Sequence, residues 1–268
     1  MKISSDGEKL FVATNNMKIK VLYEDFSILA IDKPSGILVY PDGRKDPSIS
    51  LRARKTILDL FSKKYPRIEI VHRLDKDTSG VMLLAKNKKA YEFLKKQFQN
   101  REVKKIYHAI VSGSVKNDRG VINKPIGRSP KDFRRHLAGR GVRGELREAI
   151  TEYKVLKRFQ APFVQNFSRL TLPRVRGGTY TDKNFEQITP FTYMEIKPKT
   201  GRTHQIRVHM KFINHPVACD SLYNPKGACP AGLNRLALHA KSIEFKNLDG
   251  KTIKVEAALP KEFKKIVS

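Results

Sequence analysis

Strand-length runs far outnumber helical ones in this chain of 268 residues, and that imbalance limits the fold more than any other feature. Alternating or short continuous apolar runs predict strands at 18–24 (KIKVLYE), 27–33 (SILAIDK), 81–86 (VMLLAK), 104–113, 149–159, 168–172, 191–198, 236–245 and 251–259. Helical spacing is confined to 88–100, where Ala90, Phe93, Leu94 and Phe98 share a face, and to 202–213. A repeating βαβ fold needs a crossover, usually a helix, for every parallel pair. The pattern therefore predicts an α+β fold with a large, mixed, mainly antiparallel sheet flanked by helices. No internal repeat or low-complexity linker divides the chain, so a single domain over 1–268 is expected, long enough to bury a sizeable core. Residues 128–148, with Gly139, Gly141 and Gly144 among basic side chains, read as a surface loop. Residues 160–190 read the same way, with Pro162, Pro173, Gly177, Gly178 and Pro190 between Arg169, Arg174, Arg176 and Lys183.

Charge narrows the range of partners. Lys and Arg number 54 against 26 Asp and Glu, a formal net charge of +28. A solubility surface would account for part of this, but a polyanion partner accounts for it better, because each neutralised phosphate releases condensed counterions. No strongly amphipathic basic helix points to an anionic membrane, and no run is long and apolar enough for a signal peptide or a membrane span. Cys219 and Cys229 match no zinc or redox spacing and read as separate reduced thiols in a reducing compartment. These features predict a soluble, cytoplasmic protein that binds nucleic acid.

The common chemical motifs fail on context. Gly139, Gly141 and Gly144 spell GxGxxG, but no strand precedes them and no acidic residue follows at the distance a dinucleotide site requires. The chain has no P-loop frame, no HExxH and no nucleophile elbow. His209, His215 and Cys219 lack a matching fourth ligand, so no metal site is expected. One segment remains, "VHRLDKDTSGVMLLAKN" at 71–87, which runs charged residues straight into a core-type strand. Taken alone it reads first as a solvated turn, with Asp75, Asp77, Thr78, Ser79 and Gly80 as turn formers. The alternative is the floor of an active site, in which Asp75 would need a cationic partner to stay ionised. Arg202 and Arg207 in "TGRTHQIRVHM" are the best placed cations, since apolar residues flank Arg207.

The segment "HRLDKDTSGVMLLAKN" resembles the catalytic signature of RluA-type RNA pseudouridine synthases. Further matches follow in order over about residues 20–265: "YEDFSILAIDKPSGILVYPDG", "KKIYHAIVSG", "AITEYKVLKR", "KPKTGRTHQIRVHM", "HPVACDSLY", "RLALHAKSIEF" and "VEAALP". An ordered set of this size is very improbable by chance. Tyr40 departs from the family pattern, which often has His there. The resemblance implies the family's catalytic fold, with RNA-contacting loops, and conversion of uridine to pseudouridine in ribosomal or transfer RNA. It also implies that no cofactor, metal or obligatory protein partner is needed. Residues 1–19 become an N-terminal extension and 160–190 an insertion.

The same resemblance assigns roles by position. Asp75 matches the catalytic aspartate, Arg207 the arginine that pairs with it, and Tyr107 the tyrosine that stacks on the target base. Arg73 matches the arginine that fills the space left by the extruded nucleotide. Lys33, Arg202, Arg134 and Arg135 fall on the RNA side, the last two in a loop that pinches RNA, and Leu238 lines the base pocket. Two rival functions stay open: a uracil-releasing RNA glycosidase, and a non-catalytic RNA-binding or RNA-folding module with a vestigial site.

Overall fold

The computed structural model of the chain describes residues 11–14, 17–40, 56–165 and 188–268. Two compact units result, the first built from the chain up to Tyr107 plus His239–Ala258, the second from His108–Leu238 plus Leu259–Ser268.

The first unit is a sheet covered on both faces. Its strands are β1 (Phe11–Thr14), β2 (Met17–Glu24), β3 (Ile28–Lys33), β4 (Glu69–Ile70) and β5 (Ser79–Ala85), joined later in the chain by β14 (Leu238–Lys246) and β15 (Thr252–Glu256). Pairing is antiparallel except where β14 runs parallel to β5, matching His239 to Ser79 and Ala240 to Gly80. Side-chain alternation splits the apolar runs between two cores. Leu29, Ile31, Met82 and Leu84 face α1 (Ile57–Ser62), whose Ile57, Leu60 and Phe61 are buried against them. Ile28, Ala30, Val81, Leu83 and Ala85 face the other way, toward α2 (Lys88–Gln99) and Ile243, Phe245 and Val255. A strand buried on both faces reads as a continuous apolar run, and this is why 81–86 does. Both helices start on side-chain caps. Thr56 and Asp59 form a reciprocal box, and Asn87 accepts from the N–H of Ala90.

β6 (Lys104–Ser112) carries the chain into the second unit. There β11 (Ile150–Gln165) pairs with β7 (Arg119–Asn123), β12 (Ile188–Pro198) and β13 (Ala228–Pro230). The helix expected at 202–213 is α3 (Gln205–Phe212), buried from Gln205 to Met210, and α4 (Lys261–Val267) ends the chain. Gln205 fixes α3 on β11. Its amide donates to the Ile150 carbonyl and Thr151 Oγ1, and its Oε1 accepts from Thr200 and the N–H of Arg202.

Three expectations need correction. The stretch 128–148 is not a plain loop: β8 (Ile126–Arg128), β9 (His136–Ala138) and β10 (Arg143–Arg147) make a three-stranded sheet. Its glycines hid this: Gly139 and Gly141 take positive φ at the turn after β9, and Gly144 takes it inside β10, where the register with β8 shifts. The described ends of 160–190 are strand too, with Pro162 opposite Ile188 and its carbonyl accepting from Ala231. Residues 166–187, including the strand expected at 168–172, lie outside the described residues. Cys219 and Cys229 are joined in a disulfide rather than separate thiols, because the turn at 220–227 returns the chain to itself. Of the expected extension 1–19, β1 is an added strand of the first unit, and 1–10 with 15–16 lie outside the described residues.

Gly80 sits at φ +109°, and a Cβ there would lie 2.2 Å from the Ala240 carbonyl oxygen. Gly80→Ala should therefore cost on the order of 3 kcal/mol through backbone strain and overpacking. The urea midpoint checks this; an unchanged midpoint would mean that β14 shifts freely.

Candidate active site

Asp75 lies on the turn that links β4 to β5, and a buried lysine holds that turn. Lys33, at the end of β3, is 0% exposed. Its ammonium donates to the carbonyls of Pro34, Lys76 and Thr78 at 2.9–3.0 Å. The N–H of Gly36 also reaches the Lys76 carbonyl, and Ser35 Oγ donates to the Asp77 carbonyl. The Lys-Pro-Ser-Gly segment thus grips the Asp75 turn along its backbone. This corrects the placement of Lys33 on the RNA side, since an ammonium engaged with buried carbonyls is not presented to a phosphate. Such bonds offset the desolvation that burial of a charge otherwise costs.

The flanks of the turn are fixed as well. Leu74 is buried in the α1-side core. His72 takes over where β4 ends: its Nε2 accepts from the N–H of Leu83 at 2.9 Å, and its ring stacks on Phe98. Burial, with Lys105 adding repulsion, pushes the His72 pKa down to about 3. The ring is therefore neutral at physiological pH, as an acceptor at Nε2 requires. On the other side, Ser79 Oγ contacts His239 Nδ1 at 2.7 Å. Asp75 itself is half-buried and Arg73 is exposed.

Tyr107, near the end of the first unit's share of β6, packs against the α1-side core. Burial raises its pKa well above the usual phenol value, and the carboxylate of Asp75 raises it further. Asp75 and Tyr107 are thus close enough to interact, and the phenol stays protonated at neutral pH.

The second unit carries Arg207 on α3. The guanidinium forks onto Asp220, with Nε and Nη2 each 2.8 Å from a carboxylate oxygen. Arg207 is 5% exposed and Asp220 0%. Burial alone would raise the Asp220 pKa, but the Arg207 bonds and charge, helped by the N–H groups of Tyr223 and Leu222, hold it below the usual carboxylate range. The Tyr223 ring lies under the guanidinium, 5.0 Å from its centroid. The Tyr223 hydroxyl accepts from the N–H of His136 on β9 and meets His204 Nδ1. One tyrosine therefore joins the arginine to the three-stranded sheet through β9. Asp220 and Tyr223 were missed in the sequence, although "HPVACDSLY" held the signal: an Asp three residues before a Tyr, whose backbone N–H it caps.

The remaining expected residues are placed as follows. Arg134 forks onto Asp132 and Arg135 leans on the same carboxylate at 3.4 Å, while Phe133 between them is exposed. Exposed ion pairs of this kind are weak, and a phosphate can displace them. Arg202 donates to the Glu148 carbonyl, and Leu238 is buried at the start of β14. His209 binds the Lys124 carbonyl and Thr151, and His215 the Ser112 carbonyl.

The first unit thus holds a carboxylate near a protonated phenol, and the second a buried guanidinium linked through Tyr223 to β9. Comparison with known proteins gives the family. The family model described as RNA pseudouridylate synthase matches residues 27–212. A ribosomal large subunit pseudouridine synthase D of Xanthomonas campestris is 35% identical over 96% of this chain and 70% of its own length. An uncharacterized RNA pseudouridine synthase of Bacillus subtilis is 34% identical over 98% and 76%. The solved structure of human RNA pseudouridylate synthase domain containing 1 shares the fold at TM-score 0.63 and 23% identity, covering 90% of this chain and 84% of that one. The chain belongs to the RNA pseudouridine synthase family, RluA-type, whose members are isomerases acting on RNA. No helix among the described residues is long and apolar enough to cross a membrane.

Two outcomes are expected. Asp220→Asn leaves Arg207 buried against a neutral amide and should cost about 3–5 kcal/mol of stability in urea unfolding. For His72, the folded pKa lies below the unfolded value of 6.5, so unfolding takes up a proton below pH 6.5. Its contribution to stability is complete above that pH and declines as pH falls toward 3. His72→Gln keeps an acceptor but cannot titrate, and should reduce the slope of the urea midpoint between pH 4 and 6.5; identical slopes would show that the ring is not held neutral.

Proposed function

We propose that this enzyme converts uridine to pseudouridine in ribosomal RNA, with Asp75 as its essential group. The reading rests on one observation above all: Asp75 occupies a turn gripped by the buried Lys33, close enough to Tyr107 to raise its pKa. A reaction that detaches a base and re-attaches it needs a carboxylate whose position does not drift. Ribosomal RNA is favoured over transfer RNA because several relatives carry the name ribosomal large subunit pseudouridine synthase D. The enzyme acts in the cytoplasm, without cofactor or obligatory protein partner.

In this reading the target nucleotide is extruded from its stack before reaction. Arg73, exposed beside the Asp75 turn, fills the space it leaves. The N1–C1′ bond breaks, the uracil turns, C5 bonds to C1′, the C5 proton leaves and N1 gains a proton, so the product is an isomer. Asp75 serves as nucleophile or proton acceptor in breaking the glycosidic bond. Tyr107, held protonated, is a surface for the base and a donor rather than the group that removes the C5 proton. That leaves the carboxylate, or water, as acceptor. Arg207 supplies the cation, Leu238 an apolar wall for the base, and Arg134, Arg135 and Arg202 engage phosphates.

Asp75→Asn is nearly isosteric and should abolish tritium release from carbon-5-labelled uridine, at least about 10³-fold. Affinity for a large-subunit ribosomal RNA transcript should stay within about threefold, since phosphate contacts dominate binding. Full turnover by the variant, or free uracil as the product, would overturn this reading.

A further inference from the structure

Asp75 lies at one end of β3 and β5, where Lys33 pairs with Gly80. At the other end, where Ile28 pairs with Ala85, the first unit has a groove of about 980 Å³ that the chemistry above does not use. Five residues of strand separate the two ends, about 17 Å. Phe26 stands on the rim of this groove, 91% exposed at the tip of the β2–β3 turn.

The turn is rigid. Asp25 accepts from the N–H groups of Ser27 and Ile28 at 2.7 and 2.6 Å and from the Tyr23 hydroxyl. Phe26 is thus held outward rather than left loose, and no ring or cation contact engages it among the described residues. Around it the groove is basic. Lys64, Arg67, Lys88 and Lys89 are exposed lining residues. Lys88 pairs with Glu92, whereas Lys64, Arg67 and Lys89 have no ion pair among the described residues. Two carboxylates share the lining, Asp25, bonded within its own turn, and Asp249, bonded to the Asn247 amide, while Glu24 nearby pairs with Lys86; the cations of the lining outnumber its acids five to two. Lys88 and Lys89 also form the first turn of α2, whose N-terminal end adds a partial positive charge.

An outward aromatic in a lining with an excess of cations has the chemistry of a single-stranded nucleic acid site, where a base stacks and flanking phosphates meet lysine and arginine. A protein partner would more often be met by an apolar patch, whereas the exposed side chains around Phe26 are chiefly lysine and arginine. We propose that the Phe26 groove is a second RNA-binding site, which stacks an unpaired nucleotide of the substrate RNA and holds its phosphates through Lys64, Arg67 and Lys89. The site rests on the RNA-modifying reading above and deepens it. It anchors RNA at the end of β3 opposite the Asp75 turn and so selects substrates by what flanks the target uridine.

The test uses the full chain with Phe26→Ala and with the triple variant Lys64→Glu, Arg67→Glu, Lys89→Glu, all at exposed positions. Filter binding of a large-subunit ribosomal RNA transcript is read across 50–300 mM salt, and turnover on the same transcript by tritium release. Phe26→Ala should weaken binding and raise KM about tenfold with kcat within twofold and the salt slope unchanged. The triple variant should also lower the salt slope by about 2–3. Wild-type affinity and slope in both variants would overturn the site. Because binding is read without turnover, that result counts against the groove even if Asp75 proves not to act on this RNA. A photo-crosslinking amino acid at position 26, irradiated with whole ribosomal large subunits, should attach to RNA; attachment to ribosomal protein alone would overturn the RNA assignment.

Discussion

The ammonium of Lys33 is the interaction on which the placement of the Asp75 turn depends. Two chain segments, 33–36 and 75–78, cross here, and the carbonyls of Pro34, Lys76 and Thr78 converge on one side chain. An unpaired buried carbonyl costs about 1–3 kcal/mol. A single cation with three donors satisfies carbonyls from both segments at once, which no neutral side chain of that length does. Its charge makes each bond stronger than a neutral one. The consequence is mechanical: the turn that carries Asp75 is tied to β3, a strand whose apolar residues are buried on both faces. His72 and Gly80 serve the same end. The first supplies an acceptor for the N–H of Leu83 beyond the end of β4, and the second lets β14 approach so closely that only a hydrogen fits between.

The second unit solves a different problem, that of holding a guanidinium in a nearly dry site without losing its charge. Asp220 does this with both oxygens, and the N–H groups of Leu222 and Tyr223 complete its coordination. A buried pair so fully bonded is costly to break, although its net contribution to stability is small. What it gives is direction. Tyr223 extends this network to the N–H of His136, so β9, which follows the β8–β9 connection carrying Arg134 and Arg135, shares a side chain with Arg207.

Much of this was legible in the sequence, and the failures have physical causes. The strands at 18–24, 27–33, 81–86, 104–113 and 191–198 were plain because their side chains alternate or stay apolar over the length of a strand. β8, β9 and β10 were not, because a small sheet rich in arginine and glycine has no apolar period of two. The continuation of β11 through Pro162 was hidden by a residue that usually ends strands. Asp75 was found through its motif, while its surroundings were not: the sequence shows that Lys33 is charged but not that three carbonyls wait for it. Asp220 lies 13 residues after Arg207, on a turn, where no helical or strand period connects the two.

The same distinction changes the meaning of the net charge. A total of +28 suggests a uniformly cationic surface, but the structure divides its cations into two populations. Lys33 and Arg207 are buried and bonded to chain groups, and their charge holds backbone and side chains in place. Arg67, Lys64 and Lys89 are exposed without ion pairs among the described residues, and Arg134 is tied only by a surface pair. Only this second population contributes counterion release on binding RNA. The salt dependence of binding therefore reports exposed cations rather than the total, and among the described residues one group of them surrounds Phe26 at the end of β3 opposite the Asp75 turn.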